Sequence, residues 1–178
     1  MAFDAYMYFE EPGGGAVLPE GETSDKEFAA KKAFEVFSFS LGASNPTTIG
    51  SGSGGASSGR VSYSTVNVMK RTDKSSPKLV ATCNSGGHFG KVTLVLRKSG
   101  QDKAKAGEAF LTYEFHKVFV DSIQWSGSSG GDDVPTESLS LAFGAIKIGY
   151  KPQNKDGSLG TEVPATWSLI KNDNSTSV

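Results

Sequence analysis

Apolar and polar residues alternate along most of this chain, which is the pattern of strands that bury one face. Residues 2–9 show it first, with an apolar face made of Phe3, Ala5, Met7 and Phe9. Similar runs predict strands at residues 34–42, 60–71, 91–98, 109–125, 136–150 and 163–170. Such a set, with one short α-helix, predicts a mainly β fold, either a β-sandwich or a partly closed β-barrel with the helix over one end.

Some of these runs lose their phase partway, which predicts bulges or bends. The apolar phase moves within residues 61–68, and in residues 136–150 it switches at Gly144. Residues 109–125 form a run that is unusually long for one strand. We therefore expect that run to bend or to divide in two.

Two stretches leave the alternation and predict short helices. Ser24 or Asp25 precedes a series of helix formers and can seed one or two helical turns. The serine pair at 75–76 can cap a second helix, where Pro77 fits the first turn and Gly86 can end it.

A loop of linker composition separates two of the predicted strands. From residue 50 to residue 59 every residue except Ala56 is glycine or serine. Loops of this kind inside a compact domain are usually either disordered or held by a partner. We interpret residues 45–60 as an extended loop held by a partner, the alternative being a surface loop without a role.

Length, charge and cysteine content further limit the fold and the functions that this sequence can have. A length of 178 residues predicts a single domain over 1–178, with residues 171–178 as a frayed tail. The 18 basic and 19 acidic residues nearly cancel, which argues against nucleic acid as a partner. No apolar run approaches the ~20 residues that cross a bilayer, and the N-terminus lacks a secretory signal pattern. The single Cys83 excludes an internal disulfide and suits a reducing cytoplasm.

The candidate motifs for catalysis or metal binding each lack a required residue or the required spacing. The stretch SGGHFGK has serine where a phosphate-binding loop needs its first glycine. His88 and His116 lack zinc-ligand spacing with each other and with Cys83, and His116 reads as a solvated strand residue. We therefore predict no enzyme activity, no catalytic residues, no metal and no cofactor.

Seven segments follow the pattern of one protein family, namely MAFDAYM, FEVFSFSLGASNP, the Gly/Ser loop with GRVSYS, TDKSSPKLVATCNSGGH, VTLVLRKSG, SSGGDDVPTESLSLAFGAIKIGYKPQ and the DGS turn. In these segments the chain resembles the Hcp proteins, which form the inner tube of the bacterial type VI secretion system. TDKSSPKL and GGDDVPTESLSL are the most specific of them. Residues 9–33 and 101–108 depart from the family pattern, and we expect them on outer or end surfaces.

The resemblance implies a structural subunit that assembles as a ring. Homohexameric rings would stack into a hollow tube, capped by the spike protein VgrG and surrounded by contractile sheath proteins. The tube would be ejected with the spike and would carry or chaperone effector proteins in its lumen. It also implies export from the bacterial cytoplasm without a cleaved signal peptide, and no membrane insertion.

Three groups of residues are candidates for this role. Ser38 and Ser40 oppose Phe37, Phe39 and Leu41 in phase, so in a ring they would face the lumen, the alternative being an exposed strand face without a task. The predicted ring-stacking loop includes Asn45, Thr47, Ile49, Gly50, Gly52, Gly54, Gly55, Gly59 and Arg60.

The third group is Asp132 and Asp133, which either contact the next ring or cap a turn ahead of Pro135.

Two other functions compete with the tube subunit. One is a secreted carbohydrate- or surface-binding β-sandwich module, which would need an aromatic platform from Trp125 and Trp167. The other is a hydrolytic effector fused to this scaffold. The residues after Tyr150 are too few for a second core, which argues against that fusion.

Overall fold

The computed structural model describes residues 3–49, 56–98, 107–130, 134–155 and 157–178. Within these residues the elements are β1 (Phe3–Gly13), α1 (Lys26–Ala30), β2 (Phe34–Glu35), β3 (Ser38–Ser40), β4 (Ala43–Ser44), β5 (Thr47–Ile49), β6 (Ala56–Ser58), β7 (Ser62–Tyr63), β8 (Val66–Arg71), α2 (Ser76–Ser85), β9 (His88–Lys98), β10 (Ala109–Ser126), β11 (Thr136–Tyr150) and β12 (Val163–Ser168).

Eight strands form one antiparallel sheet in the order β2-β1-β9-β10-β11-β8-β3, with β12 beside β11. The two ends of this order, β2 and β3, are neighbours in the chain. Val36 N–H donates to the carbonyl of Ala5 at 2.9 Å, and Phe37 N–H donates to the carbonyl of Met69 at 2.8 Å. One short segment thus joins both edges and curls the sheet into a barrel. The predicted mainly β fold is confirmed, in its barrel form.

The barrel encloses one hydrophobic core, and β9 separates it from a second, smaller apolar cluster outside the sheet. Residues 92–97 are buried on both faces of β9, because one face meets the core and the other lies under α1. On that second face the rings of Tyr6 and Phe28 stack with centroids 4.3 Å apart. The alternation read from the sequence describes only the inner face of such a strand.

The prediction of a single strand over residues 34–42 is wrong, because this segment is divided between β2 and β3. Phe34 and Val36 are buried beside β1, whereas Phe39 packs against the core beside β8. Phe37, predicted to share the buried face, is 50% exposed. The chain changes from one sheet edge to the other at this residue, so the pleat loses its phase.

The phase switch predicted at Gly144 in β11 is present, but no residue is inserted in the ladder there. The facing strand β10 switches at the same level, at Lys117, whose φ is +51°. Because both strands switch together, their register is kept, and the only register shift between them follows Val120. Val118 is therefore buried, whereas Phe119 is exposed. β10 bends without dividing.

Both predicted helices are confirmed. Asp25 caps α1, because its Oδ1 accepts the N–H groups of Glu27 at 3.0 Å and Phe28 at 3.2 Å. α2 has Pro77 in its first turn and ends at Gly86, whose φ of +66° suits glycine. Neither of these helices is long and apolar enough to span a membrane, and the structure describes no other.

Residues 171–178, predicted from the sequence as a frayed tail, fold back along β12. Ser168 N–H donates to the carbonyl of Asp173 at 2.9 Å, and the Ser168 hydroxyl donates to the carbonyl of Ser177 at 2.7 Å. The hydroxyl of Thr166 donates to the carbonyl of Asn174 at 3.2 Å. Ser168 itself is buried, so its hydroxyl bond is partly shielded from solvent, whereas the Thr166 bond is exposed.

Candidate functional site

Ser38 and Ser40 lie on the outer face of β3 and are exposed, as the alternation predicts. The strand register extends this face across β8, β11 and β10 in two rows of four residues. The rows are Ser38–Met69–Ser138–Gln124 and Ser40–Asn67–Ser140–Ser122. All eight are exposed or half-buried, and none is charged. We call these eight residues the uncharged face.

Apart from Met69, the uncharged face consists of neutral hydrogen-bonding groups, namely serine hydroxyls and the side-chain amides of Asn67 and Gln124. The Ser140 hydroxyl donates to Oδ1 of Asn67, and Nδ2 of Asn67 donates to the carbonyl of Thr65 at 3.3 Å. Hydroxyls and amides can donate and accept hydrogen bonds, but they offer no ion pair to a ligand. Such a surface stays hydrated and contacts many polar partners weakly. The sequence predicted only the two serines of β3, because the other six residues lie on strands that are distant in the chain. Strand pairing brings them beside Ser38 and Ser40.

The described part of the predicted loop is a β-hairpin. Its base is the β4–β7 ladder, closed by a hydrogen bond from Ser64 N–H to the carbonyl of Gly42 at 2.9 Å. Further out, Gly59 N–H donates to the carbonyl of Pro46 at 2.7 Å, and β5 pairs with β6. We call the hairpin from Gly42 to Ser64 the arm. Its described residues are mostly exposed.

The structure places the predicted loop residues unequally. Asn45, Thr47 and Arg60 are exposed along the arm, and Ile49 ends β5. A side chain at Gly59 would meet Pro46 at 2.8 Å, so glycine permits the close crossing of the two strands. Other predicted residues lie outside the described residues, namely Gly50, Gly52, Gly54, Gly55, Asp132 and Asp133.

A buried charge cluster holds one end of the barrel together. Lys70 is 0% exposed, and its Nζ lies 2.7 Å from Oε1 of Glu137 and 2.8 Å from Oδ1 of Asp73. The Ser76 hydroxyl donates to the same Glu137 oxygen at 2.8 Å, and Trp125 Nε1 donates to the other carboxylate oxygen at 3.1 Å. The cluster fastens the start of α2 to β8 and β11.

This cluster gives a structural role to residues in the two segments that resemble the Hcp family most specifically. Asp73 and Ser76 belong to TDKSSPKL, and Glu137 belongs to GGDDVPTESLSL. They meet at Lys70, which sequence reasoning missed. The available signal was the position of Lys70 in the inward phase of Val66 and Val68, where an ammonium needs a buried partner.

Comparison with known proteins decides the family. The family described as "Type VI secretion system effector, Hcp" matches residues 6–150. This chain belongs to the Hcp family. The resemblance stated from the sequence is thereby confirmed, and with it the assignment to the β-rich structural tube proteins of type VI secretion.

Individual relatives agree with this assignment. The protein hcp1 of Pseudomonas aeruginosa is 32% identical over 114 residues, which are 64% of this chain and 68% of that protein. The solved structure of a type six secretion system protein has a TM-score of 0.84 at 34% identity and covers 97% of this chain and 99% of its own. Hcp1 from Salmonella typhimurium has a TM-score of 0.71 at 26% identity, with 97% and 98% covered.

The tryptophans of this Hcp protein do not form the platform that a carbohydrate-binding module would need. Trp125 is 56% exposed, but its indole N–H is bound to Glu137. Trp167 is half-buried against the core and pairs with Ile146, nine positions along β11 from Glu137. At the rise of a strand this separation is about 30 Å. Each ring is therefore isolated from the other.

Lys147 on the outer face of this Hcp barrel is paired with two carboxylates. Lys147 lies 3.4 Å from Glu114 and 3.5 Å from Glu162. His116, predicted to be solvated, is half-buried, and this desolvation lowers the pKa of its imidazole while nearby Glu114 opposes the shift. Among the described residues no group of histidine, cysteine, aspartate and glutamate could hold a metal ion.

Proposed function

We propose that this Hcp protein is the repeating subunit of a type VI inner tube. Six copies form a ring, and rings stack into a hollow tube inside contractile sheath proteins. The tube is ejected with the spike protein VgrG and carries effector proteins. Export starts in the bacterial cytoplasm and uses the secretion apparatus in place of a cleaved signal peptide. The subunit itself performs no catalytic step.

The arm is the observation that carries this proposal. Its strands pair with each other, and residues 42–47 are exposed to solvent. An isolated two-stranded hairpin is marginally stable in water, so a long exposed one is best explained by a surface that receives it. In a self-assembling family that surface belongs to another copy of the chain. A hairpin that reaches a different patch on the next copy makes a heterologous contact, which propagates or closes into a ring.

The uncharged face suits the lumen of such a tube. Its eight neutral side chains would surround cargo without selecting for charge, and the exposed Met69 adds an adaptable apolar contact. An effector that binds there in its folded state gains stability by mass action. Ser38 and Ser40 would stand at the rim of this surface on β3.

The proposed assembly is tested by light scattering and negative-stain electron microscopy of the purified chain. We expect a six-fold mass and annular particles with a central hole. A mass of one chain at high concentration, or particles without an axial hole, would contradict the proposal and would favour a monomeric binding module.

A further inference from the structure

The arm leaves the barrel where β11 changes its neighbour. β8 pairs with β11 as far as Leu141, and β12 takes over from Ala145. The three residues between them, Ala142, Phe143 and Gly144, are in register with neither strand. Two contacts that support the base of the arm reach Phe143 and Gly144.

The first support is direct. Tyr63, in the returning strand of the arm, meets Phe143 edge to face with ring centroids 5.8 Å apart. The second passes through the end of the chain. The guanidinium of Arg60 donates to the carbonyl of Leu169, and Leu169 N–H donates to the carbonyl of Gly144 at 2.8 Å.

The chain end is itself anchored on the same spot. Ile170 and Val178 lie over Gly144, where an added Cβ would meet their terminal carbons at 2.8 Å and 3.1 Å. The hydroxyl of buried Ser168 binds the carbonyl of Ser177 at 2.7 Å and accepts the N–H of Lys171 at 3.0 Å. Residues 169–178 therefore form a fixed platform beside the arm. We call this segment the tail platform.

We propose that the tail platform sets the direction in which the arm leaves the barrel, with Arg60 as the positioning residue. The ladder at the base of the arm is only two residue pairs long, so by itself it does little to fix the orientation of the arm relative to the barrel. An arm that is already aligned loses less conformational entropy when it docks. The consequence for assembly rests on the proposed function, whereas the alignment itself is a property of the single chain.

Two separate variants test this proposal: Arg60→Met, and a chain that ends at Ile170. Hydrogen exchange is measured at a dilution where light scattering gives the same mass for variant and parent. We expect the arm amides, including those of Gly59 and Ser64, to exchange about tenfold faster. The core amides of β9 should stay unchanged. Arg60→Lys, which keeps a cationic donor, should restore most of the protection.

Lys155→Met is the matched control, because Lys155 is an exposed cation in the turn after β11. It should leave arm exchange at the parent value. Unchanged exchange in Arg60→Met and in the shortened chain would overturn the proposal. A loosened arm with parental ring and tube yield would overturn its role in assembly. If the parent chain forms no rings, the proposed function fails, while the exchange result still decides whether the platform aligns the arm.

Discussion

At the scale of single residues, the balance of charge around Lys70 matters most for stability. Its ammonium is buried against the carboxylates of Glu137 and Asp73, so a single cation compensates two anions. Removing Lys70 leaves both carboxylates without a counter-charge, and for buried Glu137 this is far more costly than loss of an exposed pair.

We expect Lys70→Met to lower the free energy of unfolding by about 3–5 kcal/mol, measured by urea denaturation. Glu27→Gln is the control, because it removes an exposed partner of Lys31 and should cost less than ~1 kcal/mol. The double variant Lys70→Met with Glu137→Leu removes the buried carboxylate as well and should recover much of the loss. Equal, small effects of Lys70→Met and Glu27→Gln would contradict the interpretation.

Ser40 tests the uncharged face at the same scale. It is exposed and stands beside Asn67, so Ser40→Gln adds bulk above the face without disturbing the core. We expect rings to form normally while the level of a co-expressed effector falls. Ser128→Gln, at an exposed serine outside this face, should leave that level unchanged. Unaltered effector levels in Ser40→Gln would argue against its exposure to cargo.

At the scale of elements, the capping residue of α1 also pairs with the sheet, in addition to the packing of Phe28 on Tyr6. Asp25 caps the helix and also pairs with the guanidinium of Arg97 on β9, which is buried. The Arg97 hydrogen bond holds the pKa of Asp25 below its ordinary value. A lowered folded-state pKa means that the stabilisation is complete above the unfolded value. It is lost as the pH falls through the folded value.

We expect Asp25→Asn to lower the free energy of unfolding by about 1–3 kcal/mol at pH 7. Asparagine keeps the helix cap, so the loss reports the pair with Arg97. The difference between parent and variant should shrink as the pH falls below about 4. Urea denaturation from pH 7 to pH 3 measures this, and a difference that stays constant with pH would contradict the assignment.

At the scale of the whole molecule, the barrel and the arm are separable. The core is enclosed by the main sheet and α2, whereas the arm strands pair only with each other. The segment over residues 34–40 closes the barrel upstream of the arm. Folding of the chain should therefore not depend on the arm, whereas assembly should.

We expect deletion of residues 50–59 to leave a folded chain with parental circular dichroism, and to impair ring stacking and tube growth. The deletion removes the outer strand β6 and retains Arg60 and Tyr63 at the base of the arm. Electron microscopy measures the tubes. Tubes of normal length and number would refute the role given to the arm.

Part of this architecture was predictable from short-range pattern. The inward face of β1, the cap at Asp25 and the stop at Gly86 each depend on neighbours within a few residues. The serines of β3 were found for the same reason. The remaining residues of the uncharged face and the cluster around Lys70 were not, since they are brought together by pairing between distant strands.

By itself, the sequence determined the long strands, both helices, where the phase of β11 switches, and the family, because strand alternation, helix caps and motifs depend on residues close together in the chain. Only the tertiary structure decided that residues 34–40 form hydrogen bonds with both β1 and β8, and that the chain end supports the arm. Those outcomes depend on which surfaces meet after the barrel closes. Local periodicity carries no information about that choice, because burial of an outer face is decided by whatever packs on it.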